Sequence, residues 1–301
     1  MLRKHTRRAV KAAFAIALGV ALLLGVSAHG ARSAGPTVSL GTKDFSEEFL
    51  LGQLYKQGLE AKGYTISYHE NIGSTEIIDA ALKSGKINFY PEYTGTILSV
   101  VFHKTKVPKS AAATYAQSKK LEEKRGFTLF APTPFYDRDA MGVLTSTAHK
   151  YGLKTVADLK KVPGLSICGF PTFQSRWFAT LKRVYGVSGE KFVPLSGISF
   201  YAALDAGKCK ASDVFTTDPQ LASSKYTVLT DTKNVFGFQN VAPVVSVKLA
   251  NALGSKFRKS VNAISSKLTL PAIRAMNKAV AIDHKSPKVV AGTFLKANGL
   301  K

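Results

Sequence analysis

The chain has 301 residues, and its 42 lysines and arginines against 19 aspartates and glutamates give a formal net charge of +23. Hydrophobic residues make up 45% of the chain, which excludes a mainly disordered basic protein. Two cysteines are too few for a disulfide scaffold or a four-cysteine zinc site. The length suggests one large domain or two mid-sized domains, and the charge first suggests a polyanionic partner such as nucleic acid or an anionic membrane.

Residues 1–28 have the pattern of a secretory signal peptide. Five basic side chains without an acid precede an uncharged apolar run of 15 residues, Ala12 to Val26, and the small residues Ser27 and Ala28 follow. The alternative, a permanent membrane anchor, needs about 20 apolar residues. We therefore expect export to the periplasm or another extracytoplasmic space near the membrane. Cleavage removes five positive charges and no acid, which leaves a mature chain of charge +18.

Export changes the interpretation of the two cysteines, Cys168 and Cys209. An oxidising compartment favours a disulfide bond between them. The alternative is a pair of buried free thiols. A catalytic cysteine is disfavoured because no histidine stands in a recognisable nucleophile motif.

From Thr37 onward, short β-like segments alternate with amphipathic helices. Strands are predicted at 38–42, 64–70 and 87–90. The first helix begins at Ser46 and the second near Ser74, and glycines close both of them. This βαβαβ order favours a mostly parallel sheet with helices on its faces.

A second unit of the same kind begins near Met141. Strands are predicted in MGVLTST, LSICGF and SDVFTT, and helices in WFATLKRVYG and FYAALDAGKC. After a strand-like return at VAPVVSVKL, only helices follow, at 249–267, 270–282 and 286–298. The pattern predicts two α/β lobes, of which the C-terminal helices complete the first. The cleft between the lobes is the expected ligand site.

Several segments carry a family resemblance, in order along nearly the whole mature chain. They are GTKDFSEEFLLGQLY (41–55), GSTEIIDAALKSGKINFYPEYTGT (73–96), FTTDPQ (215–220), VAPVV (241–245), AMNKAV (275–280) and VVAGTFLKANGL (289–300). These segments resemble substrate-binding proteins of ABC importers for glycine betaine, choline, carnitine and related quaternary amines. YPEYTGT is the most specific of them.

The resemblance implies a two-lobed periplasmic-binding-protein fold of the flytrap type (type II), with a mixed, mostly parallel sheet in each lobe. Lobe 1 would comprise 37–140 and 243–301, and lobe 2 would comprise 141–242. A protein of this kind closes on a small quaternary amine, such as the osmoprotectants glycine betaine and choline, and delivers it to a membrane permease. We expect a monomer that needs no cofactor.

The chemistry of such a ligand requires aromatic rings. A quaternary ammonium has no N–H group, so hydrogen bonds cannot recognise it. Cation–π attraction is worth about 2 kcal/mol or more for each ring when the site is desolvated. A carboxylate or hydroxyl on the ligand needs donors, such as an arginine or the free N–H groups of a helix N-terminus.

By resemblance, three aromatic residues match the family's cage: Tyr93, Tyr201 and Phe215. The cage is incomplete, because residues 137–140 and 239–240 lack tyrosines that the family carries there. Tyr136, Trp177 or Phe45 could substitute, the acids Asp137 and Asp139 could share the cation, or the ligand could be a different small polar molecule. Tyr201 could equally well be a core residue, and Trp177 is expected in the core rather than in the cage.

The remaining candidate ligand-binding residues are Lys43, Phe45, Ser74, Thr75, Arg176 and Asp139. Ser74 and Thr75 open a helix, where one of them is expected to be the N-cap and its neighbours could present N–H groups to a ligand. Arg176 could clamp a carboxylate or merely pair with Asp213. Asp218 is expected to cap a turn.

Other function classes find less support in the sequence. No nucleophile elbow, zinc-protease motif or P-loop is present, and the six histidines are scattered without metal-ligand spacing. An enzyme would have to use loop or first-turn acids as its acid and base: Glu47, Glu48, Glu92, Asp137 and Asp139. An exported polyanion-binding protein is the third alternative, but the sequence carries no nucleic-acid fold signature. We therefore expect no catalytic residue, no metal and no nucleic-acid partner.

Overall fold

In a computed structural model, the protein is described at residues 35–187, 191–195 and 200–301. The predicted signal peptide, residues 1–28, lies outside these ranges. No helix in the described part of the chain combines the length and the apolar character that a membrane span requires.

The described residues form ten strands in two sheets. The strands are β1 (Val38–Lys43), β2 (Ile66–Gly73), β3 (Phe89–Tyr93), β4 (Phe127–Leu129), β5 (Asp139–Leu144), β6 (Ser166–Gly169), β7 (Lys191–Pro194), β8 (Ala211–Phe215), β9 (Tyr226–Val228) and β10 (Val241–Ser246). The first sheet has the order β2-β1-β3-β10-β4, and the second has the order β7-β6-β8-β5-β9.

The α-helices lie on the faces and ends of these sheets. They are α1 (Ser46–Glu60), α2 (Thr75–Lys83), α3 (Thr94–Thr96), α4 (Ala111–Glu123), α5 (Thr145–Tyr151), α6 (Pro171–Tyr185), α7 (Phe200–Asp205), α8 (Val247–Lys267), α9 (Leu270–Ala281) and α10 (Pro287–Ala297). A π-helical turn at Ile97–Val101 and 3₁₀ turns at Val156–Lys161 and Pro219–Ala222 complete the set. Gly254 interrupts α8, because its φ of 67° is a left-handed conformation that suits glycine.

Each sheet is mixed, and parallel pairs make up half of its pairings. In the first sheet, β1 pairs in parallel with β2 and β3, whereas β10 pairs antiparallel with β3 and β4. In the second sheet, β6 pairs in parallel with β7 and β8, whereas β5 pairs antiparallel with β8 and β9. The antiparallel strands β5 and β10 are the ones by which the chain enters a sheet from the other sheet.

The chain passes between the sheets twice, and the two passages contact each other. It leaves the first sheet after β4 and returns from the second sheet before β10. Tyr136 and Asn240 form an isolated antiparallel bridge between these passages, and the Asp137 N–H donates to the Gln239 carbonyl at 3.1 Å. The paired passages form a double connection that is suited to hinge motion.

The C-terminal helices share the core of the first sheet. The Tyr55 ring of α1 packs edge-on against Phe89 of β3 with 5.4 Å between ring centroids, and Phe89 packs against Phe257 of α8. Leu295 of α10 is fully buried in the same cluster. The first sheet therefore gains its helical cover from both ends of the described chain.

The second sheet has a separate core and a disulfide bond. Trp177 and Leu181 of α6 pack against the sheet together with Phe236. The predicted disulfide between Cys168 and Cys209 is present and joins β6 to the segment before β8. The disulfide prediction is confirmed.

Candidate ligand-binding site

A cavity of about 420 Å³ lies between the two sheets. Eight of the nine predicted ligand-binding residues line it: Lys43, Phe45, Ser74, Thr75, Tyr93, Asp139, Arg176 and Phe215. Their positions follow from the topology, because the first sheet's parallel strands end at a common edge. Lys43 ends β1, Tyr93 ends β3, and Phe215 ends β8.

Tyr201 is the exception. It is not among the described residues that line the cavity. Its hydroxyl donates to Asp218 Oδ2 at 2.8 Å, and its ring packs edge-on against Tyr226 with 4.7 Å between centroids. The side chain on α7 thus packs into a small core beside β8, as the alternative interpretation of Tyr201 anticipated. Asp218 also accepts from the Phe215 N–H at 2.9 Å, which fits its expected role in a turn.

An aromatic pair forms the wall on the side of the first sheet. The rings of Phe45 and Tyr93 stack with 6.2 Å between centroids and 25° between planes. The ammonium of Lys43 lies 4.4 Å from the Tyr93 centroid and 5.4 Å from the Phe45 centroid. These distances lie within the range of cation–π contacts, so this wall already holds a positive charge.

Lys43 is buried and held by carboxylates. Its Nζ lies 2.6 Å from Glu92 Oε1 and 3.9 Å from Glu48 Oε1. Burial acts to lower the pKa of Lys43, but the charges of Glu92 and Glu48 outweigh burial and raise it. Burial raises the pKa of Glu48 to about 8, against the opposing effect of Lys43. Lys43 is therefore a firmly charged group in the cavity wall.

Tyr93 is fixed by a buried network that draws on four of the family-like segments. Its hydroxyl donates to Glu47 Oε1 at 2.6 Å, and Asn277 Nδ2 donates to Glu47 Oε2 at 2.7 Å. The same Asn277 amide donates to the Thr217 carbonyl at 3.0 Å. Burial raises the pKa of Glu47, against the hydrogen bonds from Tyr93 and Asn277. This network locks the orientation of the Tyr93 ring.

The hydroxyls at the start of α2 already have partners. Ser74 is the N-cap by position, and its Oγ donates to Glu76 Oε2 at 2.7 Å. Thr75 Oγ1 lies 3.5 Å from Glu92 Oε2. Both residues line the cavity.

The cavity lining also carries acids, of which Asp213 is buried and Asp137 and Asp139 are half-buried. Burial raises the pKa of Asp139, against the hydrogen bond that its Oδ2 accepts from Trp177 Nε1 at 3.0 Å. Burial and the neighbouring charges of Asp139 and Asp218 raise the pKa of Asp213 to about 9. Asp137 also lines the cavity, and burial together with the charge of Glu47 raises its pKa well above the ordinary value.

Arg176 lies on α6 and contributes charge rather than an ion pair. Its guanidinium carbon lies 4.6 Å from the Trp177 ring. Burial raises the pKa values of Asp139 and Asp213, and the charge of Arg176 opposes part of that rise. Within the described part of the chain, no carboxylate comes within 4.0 Å of it, so the expected alternative pairing with Asp213 is not formed. The guanidinium remains available to an anionic group.

Of the three proposed substitutes for the missing tyrosines, Phe45 and Trp177 line the cavity. Tyr136 is not among the described lining residues and packs instead under Arg138, whose guanidinium carbon lies 4.9 Å from its ring. The sequence analysis missed Phe170 and Phe173, which bring two further aromatic side chains to the lining. Their position at the end of β6 and the start of α6 is a signal that could have identified them.

Thr96 and Gln239 are further lining residues that the sequence analysis missed. Gln239 Oε1 accepts from the Thr96 N–H at 2.9 Å and so joins the return passage to the end of β3. Among the described residues, no group of three histidines, cysteines or acids is arranged to hold a metal ion.

Comparison with known proteins agrees with this geometry. The sequence profile of a family described as the substrate binding domain of ABC-type glycine betaine transport system matches residues 36–297. A glycine-betaine-binding protein of Pseudomonas aeruginosa is 29% identical over 290 residues, which cover 92% of both chains. The glycine betaine-binding protein YehZ of Escherichia coli is 25% identical and covers 89% of this chain and 92% of its own length.

Solved structures support the fold. A crystal structure titled as a glycine betaine/carnitine/choline ABC transporter superposes with a TM-score of 0.82 at 23% identity, over 87% of this chain and 99% of that chain. This similarity confirms the predicted two-lobed α/β fold. Since the family profile spans nearly all of the described residues, the chain belongs to the family of substrate-binding domains of ABC-type glycine betaine transport systems.

Proposed function

We propose that this protein is an extracytoplasmic receptor that binds a small betaine in the cavity between the two sheets. It passes this quaternary amine, with glycine betaine as the first candidate, to the permease of an ABC importer. The receptor acts in the periplasm or an equivalent extracytoplasmic space, as a monomer and without catalysis. The role in transport is inferred from family membership, and the ligand class is inferred from the residues that line the cavity.

The observation that carries the proposal is the aromatic lining of the cavity. In it the stacked rings of Phe45 and Tyr93 already hold one cation, the ammonium of Lys43. Phe170, Phe173, Trp177 and Phe215 add aromatic side chains to the same lining. Such a cavity favours a ligand whose positive charge is spread over methyl groups, because that charge is held by ring faces and needs no hydrogen-bond acceptor. The volume of about 420 Å³ also suits a small solute.

The charged side chains in the lining favour a zwitterionic ligand. Lys43 and Arg176 can receive a carboxylate, and Asp137 and Asp139 lie in the same lining. A ligand ammonium would be repelled by the ammonium of Lys43 if the two shared one ring face. We therefore place the ligand carboxylate toward Lys43 and Arg176, and its ammonium among the other rings and the acids.

A ligand panel tests the proposal. Thermal unfolding is measured with glycine betaine, proline betaine, carnitine, choline, ectoine and basic amino acids, because a ligand that binds the folded state raises the melting temperature by mass action. Titration calorimetry then compares glycine betaine with choline, which lacks the carboxylate. We expect glycine betaine to bind at least about tenfold more tightly than choline.

Matched variants separate the site from the fold. Lys43→Gln is expected to weaken glycine betaine more than choline, whereas Lys56→Gln, on an exposed face of α1, is expected to change neither affinity. A failure of every quaternary amine to stabilise the protein would contradict the ligand class and favour another small polar or cationic solute. Tighter binding of choline than of glycine betaine would contradict the assigned carboxylate contacts.

A further inference from the structure

A second cavity, which we call the basic groove, opens beside the ligand-binding cavity. Its volume is about 960 Å³, more than twice the 420 Å³ of its neighbour. Residues between 99 and 109, from the end of the π-helical turn and the segment after it, line one side of the groove. Helix α6 and residues 233–235 line the other side. Arg176 and Trp177 line both cavities and form a shared wall.

Positive charge dominates the described lining of the groove. Its cationic side chains are Lys104, Lys109, Arg176, Arg183 and Lys233. His103 also lines it and would add a sixth charge when protonated. No aspartate or glutamate is present among the described lining residues, in contrast to the ligand-binding cavity with its four aspartates.

These cations differ from several other basic residues of the protein, which form ion pairs with nearby carboxylates. Lys119 on α4 lies 3.2 Å from Glu123, and Lys278 on α9 lies 2.7 Å from Asp283. Over the ranges that the structure describes, none of the five groove cations comes within 4.0 Å of a carboxylate. Five like charges around one concave surface repel one another, and an anion in the groove would relieve that repulsion.

The donors in the groove match phosphate oxygens. Guanidinium groups bind phosphate through two parallel N–H bonds, and ammonium groups add charge without a fixed direction. Ser99, Thr105, Thr180 and Asn234 add hydroxyl and amide donors to the lining. A multivalent anion can contact cations on both sides of the groove at once, which a single chloride ion cannot do.

We propose that the basic groove is a second binding site, specific for a multivalent phosphate-type anion. The anion is either free in solution or the headgroup of an anionic phospholipid, and both present the same phosphate oxygens. The groove adjoins the solute cavity and shares Arg176 and Trp177 with it. Its other four cations lie outside the solute cavity, so the proposal does not depend on which solute the protein binds.

Two experiments on residues 29–301, the chain without the predicted signal peptide, distinguish a free anion from a lipid headgroup. Sodium pyrophosphate is titrated calorimetrically at constant ionic strength, which holds the screening of surface charge fixed. In parallel, the protein is sedimented with vesicles of phosphatidylcholine alone and with vesicles that contain one quarter phosphatidylglycerol. Saturable pyrophosphate binding identifies a free anion, and retention by the phosphatidylglycerol vesicles alone identifies a lipid headgroup.

A matched pair of variants tests the location. The groove variant combines Lys104→Gln, Lys109→Gln, Arg183→Gln and Lys233→Gln, and it leaves Arg176 intact because that residue also lines the solute cavity. The control variant combines Lys248→Gln, Lys256→Gln, Lys259→Gln and Lys267→Gln, which removes four exposed charges from α8. Net charge falls equally in both.

We expect the groove variant to lose about tenfold or more of the phosphate affinity, and the control variant to stay within about twofold of the parent protein. Solute binding, measured in the same samples, should be retained in both variants and shows that they are folded. Equal losses in the two variants would overturn the proposal, because they would show a general charge effect. Absence of binding to both pyrophosphate and phosphatidylglycerol vesicles would overturn it as well.

Discussion

The ammonium of Lys43 lies against the Tyr93 ring, 4.4 Å from its centroid, at the point where two parallel strands of the first sheet end. The two residues are 50 positions apart in the sequence, and the topology alone brings them together. Glu92 Oε1 lies 2.6 Å from the same Lys43 Nζ and forms an ion pair with it. The protein thus places a cation of its own in the wall of a cavity that is suited to a cationic ligand, which restricts how that ligand can be oriented.

The Lys43–Glu92 pair predicts a stability effect. Because both side chains are almost fully buried, removal of one leaves the other without a counter-charge. We expect Lys43→Gln to lower the free energy of unfolding by about 3 kcal/mol, and Lys43→Gln/Glu92→Gln to recover part of that loss. Denaturant unfolding checks both values. Lys56→Gln removes the exposed pair with Glu60 and should cost less than about 1 kcal/mol. Equal losses in the two single variants would contradict a special role for the buried pair.

A second prediction separates the two tyrosines that the sequence offered as cage residues. Leucine keeps apolar volume and removes the ring against which the Lys43 ammonium lies, so it tests that cation–π contact without leaving a large void. We expect Tyr93→Leu to weaken glycine betaine by about tenfold, which corresponds to about 1.4 kcal/mol, because the Lys43 ammonium that is proposed to receive the carboxylate loses its ring contact. Tyr201→Leu should leave the affinity within about twofold, because Tyr201 packs against Tyr226 in a small core. Titration calorimetry measures both, and a larger loss for Tyr201→Leu would reverse the assignment.

The candidate residues at strand ends are the ones whose place in the cavity lining could be predicted from the sequence. Lys43, Tyr93 and Phe215 each follow a recognisable β-like segment, and the ends of neighbouring strands lie on one edge of a sheet. Tyr201 was ambiguous because an amphipathic helix does not reveal which of two adjacent aromatic residues reaches a cavity. The packing of α7 against β8 decides that question, and only the tertiary structure shows it.

Other features depend on contacts between residues far apart in the chain. Asn277 joins Glu47 to the Thr217 carbonyl, so three segments that seemed merely family-like prove to be one hydrogen-bonded unit. Nothing in local sequence pattern assigns a partner to a single asparagine on a helix. Glu47 and Glu48 illustrate the same limit, because they fit the first turn of a helix by charge and yet are buried beside Tyr93 and Lys43.

Removal of the disulfide bond in the second sheet is expected to lower the stability of the protein without changing its ligand affinity. Cys168 and Cys209 are 41 residues apart and buried, and closing a loop of this length restricts the unfolded chain. We expect Cys168→Ser/Cys209→Ser to lower the free energy of unfolding by about 2–5 kcal/mol. Neither cysteine is among the described residues that line the ligand cavity, so the affinity for glycine betaine should change little. Dithiothreitol should destabilise the parent protein and leave the variant unchanged; an equal effect on both would contradict the assignment.

Asp213 predicts how stability depends on pH. Burial and the charges of Asp139 and Asp218 raise its pKa to about 9 in the folded protein, against about 3.9 in an unfolded chain. Between these values the folded state holds a proton that the unfolded state has released. The contribution of Asp213 to stability is therefore fully present near pH 4 and is lost progressively as the pH rises toward 9.

Replacement of Asp213 by asparagine removes this dependence and nearly preserves the shape of the side chain. We expect Asp213→Asn to melt close to the parent protein at pH 4 and several degrees above it at pH 8, since about 1 kcal/mol corresponds to about 2–4 °C in a chain of this size. Asp283→Asn is the control of opposite sign, because the exposed Asp283 pairs with Lys278 and its pKa is lowered. Asp283→Asn should therefore leave the melting temperature at pH 8 unchanged or slightly lower. A constant difference between Asp213→Asn and the parent protein across this pH range would show that Asp213 keeps the same protonation state in the folded and unfolded chains.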